Sequence, residues 1–254
     1  MGELGDALAK VEVGRGDVVL VHSDVRGLLK AGMYPIGILR ELLGMVGSGS
    51  LLLPTFNFGW SDKAPNGEFD YYNTPSNMGV VSELARSAGF RTFHPMYSFA
   101  LLGNGPEDGQ GRFGLDYKCA FGAESTFATL REVGAKVVVI GLPWQHSMTL
   151  VHYVEELEGV DYRFHKAFAG RYTDEDERTT RREYSATVRR LDLGVRTFVD
   201  DCEKDALSEG VGRETWLGRT RITAVDVAPF VEWLRGKLKT NPGYLHKRDG
   251  APDA

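Results

Sequence analysis

Val137, Val138, Val139 and Ile140 follow one another without a polar break, and this run constrains the chain more than any other. Consecutive β-branched residues suit an extended strand buried on both faces, which requires a sheet covered by helices on each side. The period then changes. After a short loop at 142–147, residues 148–157 read as a helix carrying Thr149, His152 and Glu155 at three-residue spacing. Successive members of that trio lie about 60° apart on a helix and form one polar stripe over its first two turns. The unit therefore presents a hydroxyl, an imidazole and a carboxylate together, the residue types of a base with an orienting group and a polarising donor.

The rest of the chain alternates in the same manner. Residues 17–23 read as a buried strand with a polar end, 35–46 as a helix stopped by Gly47 and Gly49, and 50–56 as a second strand. Residues 57–77 form a long loop with Trp60, Phe69, Tyr71 and Tyr72. A helix at 78–88, an apolar run at 97–102 and a helix at 125–133 precede the strand at 136–141. Beyond 157 the pattern weakens to strand-like pieces near 184–191, a helix at 195–209, an extended piece at 218–222 and a final helix at 225–238. This order predicts an α/β fold, a layered domain with a mixed central β-sheet flanked by helices. Residues 1–254 are read as one domain or two closely packed lobes.

Charge and cysteine usage narrow the function classes. A net charge of −5 argues against a nucleic-acid partner. The basic run at 178–190 is interrupted by acidic residues and reads as a solvated helix or loop. Cys119 and Cys202 form neither a disulfide framework nor a metal-site spacing, and a buried thiol is the expectation for Cys119. No signal peptide and no apolar run of about 18 residues is present, so the reading is a cytoplasmic protein with no membrane partner.

Ser147 falls where an N-cap belongs, and free N–H groups of the following turn would favour developing negative charge and a neutral His152. Glu155 at i+3 or Glu156 at i+4 could orient the ring, and Thr149 could donate to a carbonyl oxygen. The competing reading is that His152 is a packed helix residue and the glutamates merely face solvent. His22, Ser23 and Asp24 end the first strand, where open α/β sheets place ligands. Asn73–Asn77 is turn chemistry first, and His94 with Ser98 reads as a strand entry. Two further function classes compete with a His-based catalyst. A metal-dependent hydrolase would use His146, His152 and Glu155, completed by His22 or His94. A non-catalytic sugar-binding module would use the aromatic loop alone.

Taken in order, these residues resemble the antibiotic N-acetyltransferase family, which includes the aminoglycoside 3-N-acetyltransferases. The similarity is carried by Val21-His22-Ser23 with Gly27, Gly47-Ser48-Gly49-Ser50-Leu51, Pro54-Thr55-Phe56, and Thr74-Pro75-Ser76-Asn77-Met78-Gly79. It continues in Arg91-Thr92-Phe93-His94-Pro95 with Ser98, Gly122 with Ser125, Thr149 with His152 and Glu155, and Gly210-Val211-Gly212-Arg213. Each motif is weak alone; their shared order is specific. The chain departs from the family pattern at His146, where an Asp is usual, and at Met148, Asp24 and Thr126, where Asn, Ser and Pro are usual.

The resemblance implies transfer of an acetyl group from acetyl-coenzyme A to a primary amine by direct attack, with no metal. The acceptor would be an amino sugar, a nucleotide-linked amino sugar or an aminoglycoside. His152 would be the general base, Glu155 its orienter, and Thr149 a donor to the thioester carbonyl. Ser23, His22, Ser98, Ser125 and Thr149 are the residues expected at coenzyme A. His146, Glu156, Asn57, Tyr72 and Asn77 are those expected at the acceptor. The partners expected are a small-molecule amine and, in assembly, a homodimer. With His146 in place of an acidic residue, acceptors of lower positive charge than an aminoglycoside are favoured.

Overall fold

The computed structural model describes residues 2–103 and 113–248. Its strands are β1 (Val18–Ser23), β2 (Ser50–Pro54), β3 (Gly67–Asp70), β4 (Phe90–Arg91), β5 (Phe99–Gly103) and β6 (Lys136–Ile140). They continue with β7 (Arg163–Thr173), β8 (Thr179–Arg189), β9 (Val195–Thr197), β10 (Gly212–Leu217), β11 (Thr220–Asp226) and β12 (His246–Arg248). Seven form the central sheet, in the order β10-β11-β6-β1-β2-β5-β4. β1 runs parallel to both β2 and β6, whereas β5 and β11 are antiparallel to their neighbours, so the sheet is mixed.

Alternation along the strands divides the core into two layers. Val137 and Val139 of β6, with Leu20 and Leu52, face the helices Thr126–Glu132, Leu150–Glu158 and Val227–Thr240. Val138 and Ile140, with Val19, Val21, Leu51 and Leu53, face Glu3–Lys10, Pro35–Val46 and Val80–Ala88. Both faces of β6 are therefore dry, which is why its sequence is apolar throughout rather than alternating. Each such aliphatic side chain contributes about 1.5–3 kcal/mol relative to exposure. No described helix is long and apolar enough to cross a membrane.

The expectations differ from the structure mainly outside this sheet. Residues 57–77 are not structureless: they hold the helix Gly59–Asp62 and β3, which pairs in parallel with β7. Trp60, Phe69 and Tyr71 are buried there, and the Trp60 indole donates to the Phe168 carbonyl at 2.9 Å. Only Tyr72 remains exposed, so the aromatic residues are a packing layer and offer no platform for a sugar. The basic run is also strand, because β8 pairs with β7 along its whole length and alternates Tyr184 and Ala186 inward with charged residues outward. The helix expected at 195–209 divides into β9, paired with β12, and the helix Asp200–Ser208. The extended piece at 218–222 is the turn and start of the β10–β11 hairpin.

Candidate active site

The loop after β6 is fixed before the helix Leu150–Glu158 begins. Gly141 takes φ +70°, and a Cβ there would fall 2.4 Å from the Asp24 carbonyl oxygen, so the turn requires glycine. Trp144 is buried; its indole donates to Thr223 at 2.8 Å and its backbone N–H to Glu203 at 2.8 Å. Gln145 ties the loop to the segment after β9, donating to the Thr197 carbonyl at 3.0 Å and accepting from the Val199 N–H at 2.7 Å.

Ser147 does not cap the helix. Its hydroxyl donates to the Pro143 carbonyl at 2.9 Å, and Thr149 takes the cap position without a side-chain cap bond. The backbone N–H groups of Met148, Val151 and His152 are already bonded to the carbonyls of Trp144, Met148 and Thr149. The 3-10 turn at Trp144–His146 takes the Met148 donor and the carbonyls of Met148 and Thr149 take the other two, so the helix start is not the open N–H cluster that Ser147 implies.

His152 stands on the first turn of the helix, 22% exposed, with its Nδ1 2.6 Å from Glu155 Oε2. A carboxylate there fixes the tautomer with the proton on Nδ1 and leaves Nε2 for a ligand. Phe121 holds the ring edge-on at 5.6 Å between centroids. Glu155 is fully buried and shared by three groups. Tyr162 donates its hydroxyl to Oε1 at 2.9 Å, and Arg163 Nε lies 2.7 Å from Oε2. The Arg163 guanidinium is held in turn by the Thr187 carbonyl at 3.2 Å and the Thr197 hydroxyl at 3.1 Å.

These charges set the protonation states. Burial lowers the His152 pKa below its ordinary value, and Arg163 lowers it further, outweighing the upward pull of Glu155. The imidazole is therefore neutral at pH 7, held so by burial and a guanidinium rather than by the helix end. Burial pushes Glu155 upward, but His152, Arg163 and Tyr162 together bring it below the usual carboxylate range, so it is ionised. A neutral imidazole oriented by an ionised, inaccessible carboxylate is an arrangement suited to taking a proton from a ligand.

Two cavities meet at His152. A cleft of about 840 Å³ is lined by His152, Arg163, Tyr97, Phe164, Lys166 and Arg189, among others. A smaller cavity of about 180 Å³ is lined by His146, Ser147, Thr149 and His152. Gln145 and Thr197 border both.

Of the expected site residues, His152, Glu155, Thr149 and His146 are brought together. Glu156 turns away from the ring: it accepts from the Thr187 hydroxyl and lies 2.7 Å from His165 Nε2. The i+3 carboxylate, not the i+4 one, is the partner of the imidazole. Ser23, Ser98, Ser125, Asn57, Tyr72 and Asn77 line neither cavity. Ser98 is buried between Thr55 and Arg91, Ser125 caps the helix Thr126–Glu132, and Asn57 bridges Gly59 and Pro75. His22 is buried with Nε2 lacking a hydrogen-bond partner, and burial lowers its pKa to about 4. His94 is buried too, with Nδ1 accepting from Met96 and Tyr97 N–H groups. The ligand atoms of His146, His152 and Glu155 do not converge to metal-binding distance; among the described residues the group close enough to hold a metal is Cys119, Glu156 and His165.

Tyr162 and Arg163 escaped the sequence reading. They lie past the Gly159 turn, which takes φ +58°, and only the β7 hairpin folding back over the helix carries Arg163 to Glu155.

A buried carboxylate, an imidazole and a two-sided cavity beside a mixed sheet define the class, and the comparisons define the family. The sequence profile of the aminoglycoside 3-N-acetyltransferase family matches residues 20–239, so the chain belongs to that family and is an acyl-coenzyme A-dependent N-acetyltransferase. No curated protein sequence matches it. Aminoglycoside acetyltransferase AAC(3)-Xa is 22% identical, covers 96% of this chain and 92% of its own, and superposes with a TM-score of 0.77. AAC-IIIb, solved as a binary complex with CoASH, is 21% identical with 98% and 97% covered and a TM-score of 0.76. The YokD protein from Bacillus subtilis is 17% identical with 95% and 93% covered and a TM-score of 0.75. At these identities the solved structures establish the fold.

Proposed function

We propose that this protein transfers the acetyl group of acetyl-coenzyme A to a primary amine of an amino sugar, free or nucleotide-linked, or of an aminoglycoside. The observation that carries the reading is the 2.6 Å contact between His152 Nδ1 and buried Glu155, in a residue that lines both cavities, which leaves Nε2 free of the carboxylate. The related AAC-IIIb was solved with CoASH and the related AAC-VIa with sisomicin, which supports a coenzyme A donor and an amine acceptor for this chain.

The amine enters as a nucleophile. Its nitrogen bonds to the acyl carbon, the carbon–sulfur bond breaks, and the coenzyme leaves as its thiol. His152 Nε2 takes the nitrogen's proton and returns it toward the departing sulfur. Glu155 stabilises the imidazolium that exists between those transfers. Thr149 lines the smaller cavity with His152 and would donate to the acyl oxygen in this scheme.

Thiol release from acetyl-coenzyme A, measured across a panel of amino sugars and aminoglycosides, tests the activity. His152→Ala should lower turnover by about two to four orders of magnitude. Undiminished turnover by a well-folded His152→Ala protein would remove the base from the scheme.

A further inference from the structure

We infer that the larger cleft takes an acceptor amine that also carries a phosphate, with Arg189 as its main contact and Lys166 as a second cation on the same wall. The inference rests on the transferase reading above. Its basis is the hairpin register: Arg189 stands directly opposite Arg163 across β7 and β8. Like charges placed opposite one another in an antiparallel pair destabilise the hairpin. Arg163 is compensated by Glu155. Arg189 is exposed, lines the cleft and has no carboxylate partner among the described residues. Lys166 lies over the Phe168 ring at 5.1 Å, likewise without a carboxylate. Of the two acids lining the same cleft, Asp192 is paired with Arg190 at 3.2 Å, which leaves Asp62 alone against two uncompensated cations.

Arg189 lines the same cleft as His152. After burial and Arg163, its charge is among the influences that lower the His152 pKa. A phosphate seated on it would neutralise that charge and present the rest of the acceptor to the base. A planar guanidinium suits a phosphate because two parallel N–H bonds match two oxygens. A polycationic acceptor meets the opposite field. His146, which the sequence suggested as the residue deciding acceptor charge, lines the smaller cavity instead.

The shared chemistry is a phosphate, and coenzyme A also carries phosphates, so the experiment separates the two sources. KM is measured for glucosamine 6-phosphate, glucosamine, kanamycin and acetyl-coenzyme A with the parent, Arg189→Gln and Lys166→Gln. Arg181→Gln, an exposed arginine on the same strand outside the cleft, controls for net charge. Arg189→Gln should raise the KM of glucosamine 6-phosphate by about ten- to a hundredfold, with Lys166→Gln weaker. Glucosamine and acetyl-coenzyme A should change less than about twofold, well short of the effect of one charged hydrogen bond. A rise confined to acetyl-coenzyme A, or better turnover of kanamycin than of glucosamine 6-phosphate, overturns the inference. Absence of thiol release with every acceptor overturns the transferase reading instead. Calorimetric binding of glucosamine 6-phosphate to the parent and to Arg189→Gln then decides this one separately, equal or absent binding counting against it.

Discussion

Glu155→Gln probes the centre of the site, because one substitution removes a charge shared by three neighbours. The carboxylate is fully buried, with His152 at 2.6 Å, Arg163 at 2.7 Å and Tyr162 at 2.9 Å. Glutamine keeps the shape but leaves the Arg163 guanidinium, itself only 5% exposed, without its counter-charge. Breaking a buried pair from one side costs about 3–5 kcal/mol. In a chain of this size that corresponds to a melting temperature lower by about 6–20 °C. The rate falls for a separate reason. The imidazolium loses a charge-assisted hydrogen bond worth about 1.5–3 kcal/mol, or about ten- to a hundredfold in turnover. The pH profile carries the sign. Glu155 pulls the His152 pKa up, while burial and Arg163 push it down. Without the carboxylate the acid limb of kcat/KM must move to lower pH even as the plateau drops. Adding Arg163→Gln removes the stranded charge, so the double variant should melt above Glu155→Gln alone. Calorimetry and a pH–rate profile give both readouts. A Glu155→Gln protein that melts within about 2 °C of the parent, a shift smaller than 1 kcal/mol would produce, refutes the reasoning. So does an acid limb that moves upward.

Glu156→Gln should change turnover by less than about threefold, an effect smaller than one lost hydrogen bond to a charged group, since Glu156 contacts Thr187 and His165 and not the base; a larger loss in steady-state kinetics would contradict the pairing. The buried histidines predict acid sensitivity. His22 and His94 are both held near a pKa of about 4 by burial. Below about pH 6.5 the unfolded chain takes up protons that the folded one refuses, so stability is full above that value and falls as pH drops toward 4. Each histidine accounts for a loss of about 3 kcal/mol across that window. Denaturant midpoints that are equal at pH 7 and pH 4.5 would show that neither imidazole is withheld from protonation.

The sheet and the pairing of His152 with Glu155 are legible in the sequence because their signals are local. Four consecutive apolar residues define β6, and the spacing of Thr149, His152 and Glu155 lies within one helix. The β7–β8 hairpin was hidden for a physical reason. It covers the molecule with one face open to solvent, so arginines and threonines interrupt the apolar alternation, and the inward Tyr184 and Ala186 are too few to stand out. The aromatic residues of 57–77 misled in the opposite direction. Trp60 and Phe69 are buried against Tyr172 of that same hairpin and Tyr71 against Phe93, covers that no local sequence pattern indicates. Arg163 joins the two errors: its partner lies eight residues earlier in the chain, across a turn that sequence spacing cannot resolve.

The lowered pKa of His152 restricts the timing of proton transfer. An alkyl ammonium such as a lysine's titrates near about 10.4. Handing its proton to an imidazole whose value lies below 6.5 is uphill by more than about 5 kcal/mol. His152 is therefore poorly suited to deprotonate the acceptor before attack. Once the nitrogen begins to bond to the acyl carbon, its N–H becomes far more acidic and the same transfer turns favourable. In the proposed scheme the acceptor therefore arrives as the free amine, and His152 acts during or after bond formation. Two limbs of the pH profile then have separate origins. The lower limb belongs to His152, lies below 6.5 and stays fixed from one acceptor to another. The upper limb belongs to the acceptor, so kcat/KM climbs with pH until the amine's own pKa is passed. Acceptors whose amine pKa values span about two units should move that upper limb by the same two units, a change of about 2.7 kcal/mol in the cost of the free amine. An upper limb that stays in place while the amine pKa changes would assign it to a group on the enzyme, and His152 would then have to receive its proton from the bound ammonium before attack.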